Sequence, residues 1–280
     1  MARRVGALAQ QKYGFWRTHG LLMARRLVQA SVICAFWLGP WTGYWLLRGN
    51  LSGSLLLDTV PMTDLFLFLQ SLAAGHWPET NFVLGAVVVL SVYALLGGRV
   101  FCGWVCPVNA VTDAARWLRQ RLGIRSHWRV SRTARHWLFW ACLLSALLSG
   151  QMVWEYWNPV SMWQRALTAG TLSGVSFVTL VFLLDLAAGQ GTWCGHLCPH
   201  GQAYAAVGVL PLGYYVRASR RQHCDDCMDC YQVCPEAQLL KQALKGEHAR
   251  IESAQCTRCA RCAEICHQRV FQLEYRFLSH

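Results

Sequence analysis

Eight cysteines in two runs of identical spacing constrain this chain more than any other feature. Cys224, Cys227, Cys230 and Cys234, followed by Pro235, read C-x2-C-x2-C-x3-C-P, and Cys256, Cys259, Cys262 and Cys266 repeat the spacing. Three thiolates two residues apart wrap one face of a [4Fe-4S] cubane through a tight loop. The fourth, expected to begin a helix, points at the other cluster of a two-cluster pair. By that crossing Cys224, Cys227, Cys230 and Cys266 would hold one cluster, and Cys234, Cys256, Cys259 and Cys262 the other. Structural zinc generally takes two pairs of ligands, for which two identical four-member runs are an over-supply. Where the first run continues with Pro235 the second carries His267, which weakens the local turn signal without removing a ligand.

The rest of the chain points to lipid. Of 280 residues 54% are hydrophobic and only 14% charged, with 14 Trp and a mean hydropathy of +0.25, too apolar for an ordinary soluble chain. Disorder, collagen and coiled coil are excluded by the same composition. The net charge of +12 does not imply nucleic acid: residues 1–210 hold 16 Lys+Arg against 6 Asp+Glu, and the remainder 10 against 8. The basic excess thus falls in the short flanks of apolar segments rather than on a soluble face that tracks phosphates.

Four stretches are long enough to cross a hydrocarbon core of about 30 Å: residues 27–47, with a kink expected at Pro40, then 82–101, 137–156 and 172–188. Arg3, Arg4, Lys12, Arg17, Arg25 and Arg26 precede the first, and Arg116, Arg119, Arg121, Arg125, Arg129, Arg132 and Arg135 separate the second from the third. The other two loops carry Arg48 and Arg165 against Asp58, Asp64, Glu79 and Glu155. The positive-inside rule then puts both termini in the cytoplasm. The expectation is an all-α polytopic membrane protein of the bacterial inner membrane. It comprises a basic N-terminus (1–26), a four-span domain (27–210) and a cytoplasmic two-cluster ferredoxin-like domain (216–280). A cleavable signal peptide is disfavoured because the first stretch is too long and lacks a small-x-small site. The apolar run within 61–77 is too short to cross and is expected at the outer interface, as a surface or re-entrant helix.

Two spans end in FCGWVCPVN, with Cys102 and Cys106, and two more end in WCGHLCPHG, with Cys194 and Cys198, 92 residues later. This is a parallel two-span repeat, of a kind that places a shared site at the repeat interface. The four thiols of the CGxxCP motifs can bind a further metal cluster, form redox disulfides or flank a quinone head group; Gly103 and Gly195 allow close backbone approach there. Cys34 and Cys142 are expected to be packing residues. Proton handling at a quinol needs acceptors. Asp185, the one acid well inside a span, is a candidate that also has Arg99 as a possible partner. His196, His200 and Glu155 are the others, with His76 a surface candidate.

With four spans, two CGxxCP motifs and two ferredoxin runs in this order, the chain resembles, over essentially its whole length, the NapH-type membrane component of quinol dehydrogenases serving periplasmic nitrate reductase. The resemblance implies two [4Fe-4S] clusters on the eight ferredoxin cysteines, ubiquinol as donor, and a NapG-like periplasmic iron–sulfur partner. A NapC-like multihaem cytochrome on the way to the reductase completes the implied path. It implies an electron-transfer subunit rather than a stand-alone enzyme. NosR-type relatives add an N-terminal periplasmic flavin domain, whereas about 26 residues precede the first span here. CcoG-type relatives add a fifth span and a further domain. A redox maturation, assembly or sensing factor of those kinds is the alternative, since fold alone does not assign function.

Overall fold

The computed structural model describes residues 4–124, 130–189, 191–210 and 212–275, with the side chains of residues 168 and 169 also left aside. Arg3, Arg125, Arg129 and the last five residues of the expected tail lie outside the described residues. Helix α1 (Ala7–Tyr13) ends at Gly14, whose φ of 79° admits little but glycine, and α2 (Phe15–Thr42) follows. This helix of 28 residues, with Pro40 inside it, is the one helix among the described residues long and apolar enough to cross a membrane. It starts at Phe15 rather than near Leu27, because no breaker interrupts the basic segment before the apolar one.

A hairpin sheet comes next: β1 (Leu47–Gly49), β2 (Gly53–Leu56) and β3 (Val60–Thr63), antiparallel in that order, with Leu47 opposite Leu56 and Gly53 opposite Thr63. The Asn50 side chain accepts from the amides of Ser52 and Gly53, each 2.9 Å away, and so builds the first turn. Then come α3 (Leu65–Ala73) and α4 (Thr80–Leu96), a π-helical turn at Phe101–Val105, and α5 (Val108–Leu122). They are followed by α6 (Ala134–Ser149), α7 (Val153–Trp157), α8 (Pro159–Ala169) and α9 (Leu172–Ala187). A second π-helical turn at Trp193–Leu197 leads into α10 (Pro199–Val207). The C-terminal part is β4 (Tyr214–Ala218), α11 (Asp229–Val233), α12 (Ala237–Lys245), α13 (Arg261–Ile265) and β5 (Phe271–Tyr275).

Among the described residues, five strands in two small sheets make the chain mostly helical rather than all-α. The first sheet is a local meander within residues 47–63, whereas the second pairs β4 with β5 across both cysteine runs. The apolar helices are also shorter than expected: α4 and α9 have 17 and 16 residues. The stretch 137–156 is not one helix, because Gly150 (φ 66°) ends α6 and Met152 starts α7.

The chain divides into two compact units. The helical unit, residues 29–92 and 105–204, is built on α3, α6, α8 and α9. Helix α3, the apolar run expected at the outer interface, buries Phe66 completely on one face, stacking it on Phe139 of α6 (5.2 Å) and setting it edge-on to Trp154 (6.0 Å), and exposes Leu69 and Leu72 on the other. The Gln70 side-chain oxygen accepts from the Trp154 amide at 3.0 Å, which ties α3 to α7 inside that face. Val108, Val160 and Val181 join α5, α8 and α9 in a second core. Helices α8 and α9 meet at Gly174, where a Cβ would stand 2.2 Å from the Met162 carbonyl oxygen.

The second unit is residues 1–28, 93–104 and 205–280. Its β4 and β5 pair antiparallel, Val216 opposite Leu273 and Ala218 opposite Phe271, one strand before the first cysteine run and one after the second. Val216, Leu239, Leu240, Ala243, Ile251, Val270 and Phe271 form the core beneath the cysteines. The N-terminal segment belongs to this unit instead of forming a loose basic tail: the Gly6 amide donates to buried Asp229 at 3.1 Å, and the Leu21 amide donates to Glu264 at 2.6 Å.

A side chain at the α8–α9 contact should be expelled. Gly174→Val is expected to destabilise by about 1–3 kcal/mol through overpacking, read as a fall in the melting temperature of the purified protein, while Leu172→Ala, at the exposed start of the same helix, should leave it near the parent value.

Candidate iron–sulfur site

Each cysteine run folds the same way. The residues flanking the middle cysteine adopt left-handed backbone: Asp226 (φ 51°) and Met228 (66°) around Cys227, Arg258 (49°) and Ala260 (57°) around Cys259. For non-glycine residues this costs roughly 1 kcal/mol or more apiece, and it curls the loop so that amides face sulfur. Cys227 accepts from the Asp229 amide, Cys230 from Tyr231, Cys256 from Arg258, and Cys266 from Val270 at 3.4 Å. The third cysteine sits in a short helix, α11 or α13. The fourth ends that helix in extended conformation, with ψ of 125° at Cys234 and 111° at Cys266, rather than beginning a helix as expected. Pro235 disfavours helical backbone at Cys234. Cys266 is extended without a proline.

Two hollows result. The first, about 360 Å³ with its solvent mouth included, is lined by Cys224, Cys227, Cys230 and Cys266. The second, about 370 Å³ on the same measure, is lined by Cys234, Cys256, Cys259 and Cys262. In each, three cysteines come from one run and the fourth from the other. Apolar residues close them, Leu244, Val270 and Phe271 around the first and Val216, Leu239, Leu240 and Ile251 around the second. Four sulfur donors in a largely apolar, amide-lined hollow are the donor set of an iron–sulfur cubane. Burial pushes the Cys230 thiol up to about 12, with Cys266, Cys227 and Cys224 adding to it. Burial likewise pushes Cys256 up to about 11, against the Arg258 amide, and raises Cys262 further. Burial thus favours the protonated thiols, so iron held by these cysteines would release protons on binding and would bind better as pH rises.

Buried charge braces the second hollow. Arg99, 1% exposed, donates to Glu236 Oε1 at 3.0 Å and to the Gln255 carbonyl at 2.8 Å, fixing the residue after Pro235 and the residue before Cys256. Burial alone would lower the guanidinium, but Cys102 and Glu236 more than offset it and leave it above the ordinary arginine range. Gly103 lies against the same loop, a Cβ there standing 2.9 Å from the Thr257 carbonyl oxygen and 3.4 Å from Cys259 Cβ. The Trp104 indole N–H donates to the Arg258 carbonyl at 3.3 Å, and Arg25 Nε donates to the Gly103 carbonyl at 2.7 Å. The first CGxxCP motif thus contributes Cys102, Gly103 and Trp104 to the cluster-binding unit.

The remaining motif cysteines belong to the helical unit. Burial raises Cys194 well above the ordinary thiol range, with Asp185, Cys198 and Cys106 adding to it, and its sulfur lies 3.7 Å from the Thr112 hydroxyl. Asp185 is buried. Its Oδ1 accepts from the Trp193 amide at 2.8 Å, so it anchors the second π-turn, while Arg99 is engaged by Glu236. Arg119 donates to the Leu186 and Ala187 carbonyls (2.6 and 3.1 Å), capping α9 rather than sitting in a solvated loop.

His200 is buried, with Nε2 3.1 Å from Asp64 Oδ1 and its ring stacked on Tyr204, whose hydroxyl donates to the same oxygen at 3.2 Å. Asp64 Oδ2 caps α3 through the Phe66 and Leu67 amides. Sequence reasoning missed Asp64 and Tyr204 as partners of His200; the signal for Asp64 was an aspartate directly before an apolar run, the mark of an N-cap. His196 is half-buried, its Nδ1 3.4 Å from the Gly191 carbonyl oxygen. Glu155 accepts from Ser52 (3.0 Å) and Asn158 (3.3 Å) and pairs with Arg165, within a buried polar network. His76 is exposed, its Nε2 2.9 Å from the Gly150 carbonyl oxygen. Cys142 packs in the Phe66 core and Cys34 is exposed on α2.

The twin cysteine loops define a ferredoxin-type iron–sulfur protein of electron transfer. A 4Fe-4S dicluster domain model matches residues 218–267, and a 4Fe-4S binding domain model matches 80–125 and 170–211, covering both CGxxCP copies. The ferredoxin-type protein NapH of Haemophilus influenzae is 43% identical over 275 residues, covering 97% of this chain and 96% of the relative. NapH of Escherichia coli is 43% identical, covering 99% and 97%. The methylamine utilization ferredoxin-type protein MauN of Paracoccus denitrificans is also 43% identical, covering 96% and 95%. The chain belongs to this family of NapH and MauN ferredoxin-type proteins. No solved structure matches it.

Arg99→Ala would remove the guanidinium that faces the buried Glu236 carboxylate, a change that costs about 3–5 kcal/mol. The expected outcome is loss of the iron signal of the second hollow with the first retained, partly restored when Glu236→Gln is added, as measured by iron analysis and EPR of the two variants.

Proposed function

We propose that the chain relays electrons singly between a membrane quinol and a periplasmic reductase system, with two [4Fe-4S] clusters as its stations. The observation that carries this reading is the pair of four-cysteine hollows. When bound, the clusters take up and give back one electron each with little rearrangement. Cys224, Cys227, Cys230 and Cys266 would hold the first, and Cys234, Cys256, Cys259 and Cys262 the second. The paired amides hold the sulfurs in place and the apolar lining keeps water away. A quinol releases two electrons and two protons, so a relay that serves it needs two one-electron sites and a proton acceptor. His200, buried with Nε2 3.1 Å from Asp64 and its ring stacked on Tyr204, is the acceptor best placed by its surroundings. Asp185, His196 and Glu155 are the further candidates.

Helices α2, α4, α6 and α9 would be the four spans, with both termini cytoplasmic as the arginine distribution supports, in a bacterial inner membrane. Ubiquinol would be the donor, and a NapG-like iron–sulfur protein and a NapC-like cytochrome the partners toward periplasmic nitrate reductase. A methylamine-utilising system is a second destination, favoured by the equal identity to MauN.

Anaerobic membranes examined by EPR before and after quinol addition test the relay. Two [4Fe-4S] signals should grow on reduction, Cys227→Ser and Cys259→Ser should each remove one, and Asp64→Asn should slow quinol-driven reduction while dithionite still reduces both. Clusters that never respond to quinol would favour an assembly or sensing role instead. Deletion of the gene separates the destinations: impaired periplasmic nitrate reduction with growth on methylamine intact supports the first, and the reverse supports the second.

A further inference from the structure

The two hollows are built alike but are not surrounded alike, and the difference centres on His267. In the first run the residue after the fourth cysteine is Pro235; in the second it is His267, 8% exposed. Its Nδ1 lies 3.9 Å from the Cys227 sulfur, within reach of an N–H···S hydrogen bond, and its Nε2 lies 2.9 Å from Asp225 Oδ2. Nδ1 faces the Cys227 sulfur, where an iron-bound thiolate would accept from a ring N–H, and Asp225 holds the ring from its other side. The ring's place is fixed from behind as well: the His267 carbonyl accepts from Lys12 Nζ at 3.2 Å and the Tyr13 hydroxyl at 3.0 Å, and the Arg269 guanidinium lies 4.2 Å from the Tyr13 ring centroid. Cys227 thus gains a side-chain donor, whereas the position equivalent to His267 on the other side is a proline, which has none. The burial is unequal too, since Cys259 and Cys262 of the second hollow are buried and the four cysteines of the first are only half-buried.

We propose that His267, oriented by Asp225 and by the N-terminal helix, is a positioning residue that donates a hydrogen bond to the Cys227 sulfur and so sets the first cluster at a higher reduction potential than the second. Hydrogen bonds to cluster sulfurs and solvent exposure are levers on potential, because both stabilise the more negative reduced state. The asymmetry gives the pair a direction, with an electron reaching the second cluster moving on to the first. This inference rests on Cys227 being an iron ligand.

The test is an EPR-monitored redox titration of the full-length protein and its His267→Ala, His267→Gln and Asp225→Asn variants, with iron content measured on each sample. Loss of one charge-assisted hydrogen bond should change the reduced-to-oxidised ratio of the first cluster about tenfold at fixed poise, which is about 59 mV for a one-electron step. The shift should be toward lower potential in His267→Ala, smaller in His267→Gln, which keeps an amide donor, and absent at the second cluster in every variant. Should His267→Ala lose its first cluster, His267→Gln carries the test, because it fills the same site, keeps an amide donor and should lower the same potential by the smaller amount. Variants that keep full iron while the first cluster's potential stays at the parent value, or a shift that appears equally at both clusters, overturn the inference. A parent protein without [4Fe-4S] signals overturns the ligand reading beneath it.

Discussion

Each run's fourth cysteine lines the hollow of the other run, and the rest of the cluster-binding unit depends on that exchange. Neither loop can complete a four-sulfur site alone, so Cys234 and Cys266 bind the two loops to each other. The segment between the runs folds as α12 with Leu239, Leu240 and Ala243 inward, filling the space beneath both hollows, and β4 and β5 clamp the ends in one antiparallel pair. Four left-handed non-glycine residues are tolerated because the loops are fixed on every side. A site so fixed has little room to rearrange when an electron arrives, which is what a relay requires.

The same unit recruits distant parts of the chain as braces. The N-terminal segment reaches the first run through Gly6 and Asp229 and the end of the second through Lys12, Tyr13 and His267; the segment after α4 reaches the residue after Pro235 through Arg99 and Glu236 and the second run through Trp104 and Arg258. These contacts explain why a basic N-terminus and a CGxxCP motif belong with a ferredoxin fold. In the helical unit, polar groups are likewise consumed by structure: Asp64 caps α3, Asp185 holds a π-turn and Arg119 caps α9. Among the described residues of the helical unit, His200 combines burial, a carboxylate neighbour and an aromatic stack.

The sequence carried the cysteine chemistry and little of the bracing. The ferredoxin pattern, whose fourth cysteine crosses to the other cluster, grouped the eight cysteines into the two sets that line the hollows. It also located the apolar helices, but not their ends. Hydropathy averages across Gly97, Gly98 and Gly150, whereas the backbone stops there; and the three short strands at 47–63 follow from local turn chemistry that an apolar window hides. Long-range pairs such as Arg99 with Glu236 leave no local trace, since 137 residues separate them. His267 was visible as a departure from proline, but its contact with Cys227 needed the fold.

The crossing of the cysteines is tested most directly by two double variants judged by iron content and EPR. Cys234→Ser with Cys259→Ser removes two residues lining one hollow, so one intact [4Fe-4S] signal and about half the iron should remain. Cys234→Ser with Cys227→Ser damages both hollows and should leave neither signal intact. The reverse pattern, with the first pair losing both signals and the second keeping one, would mean that each run closes its own cluster, and would contradict the account.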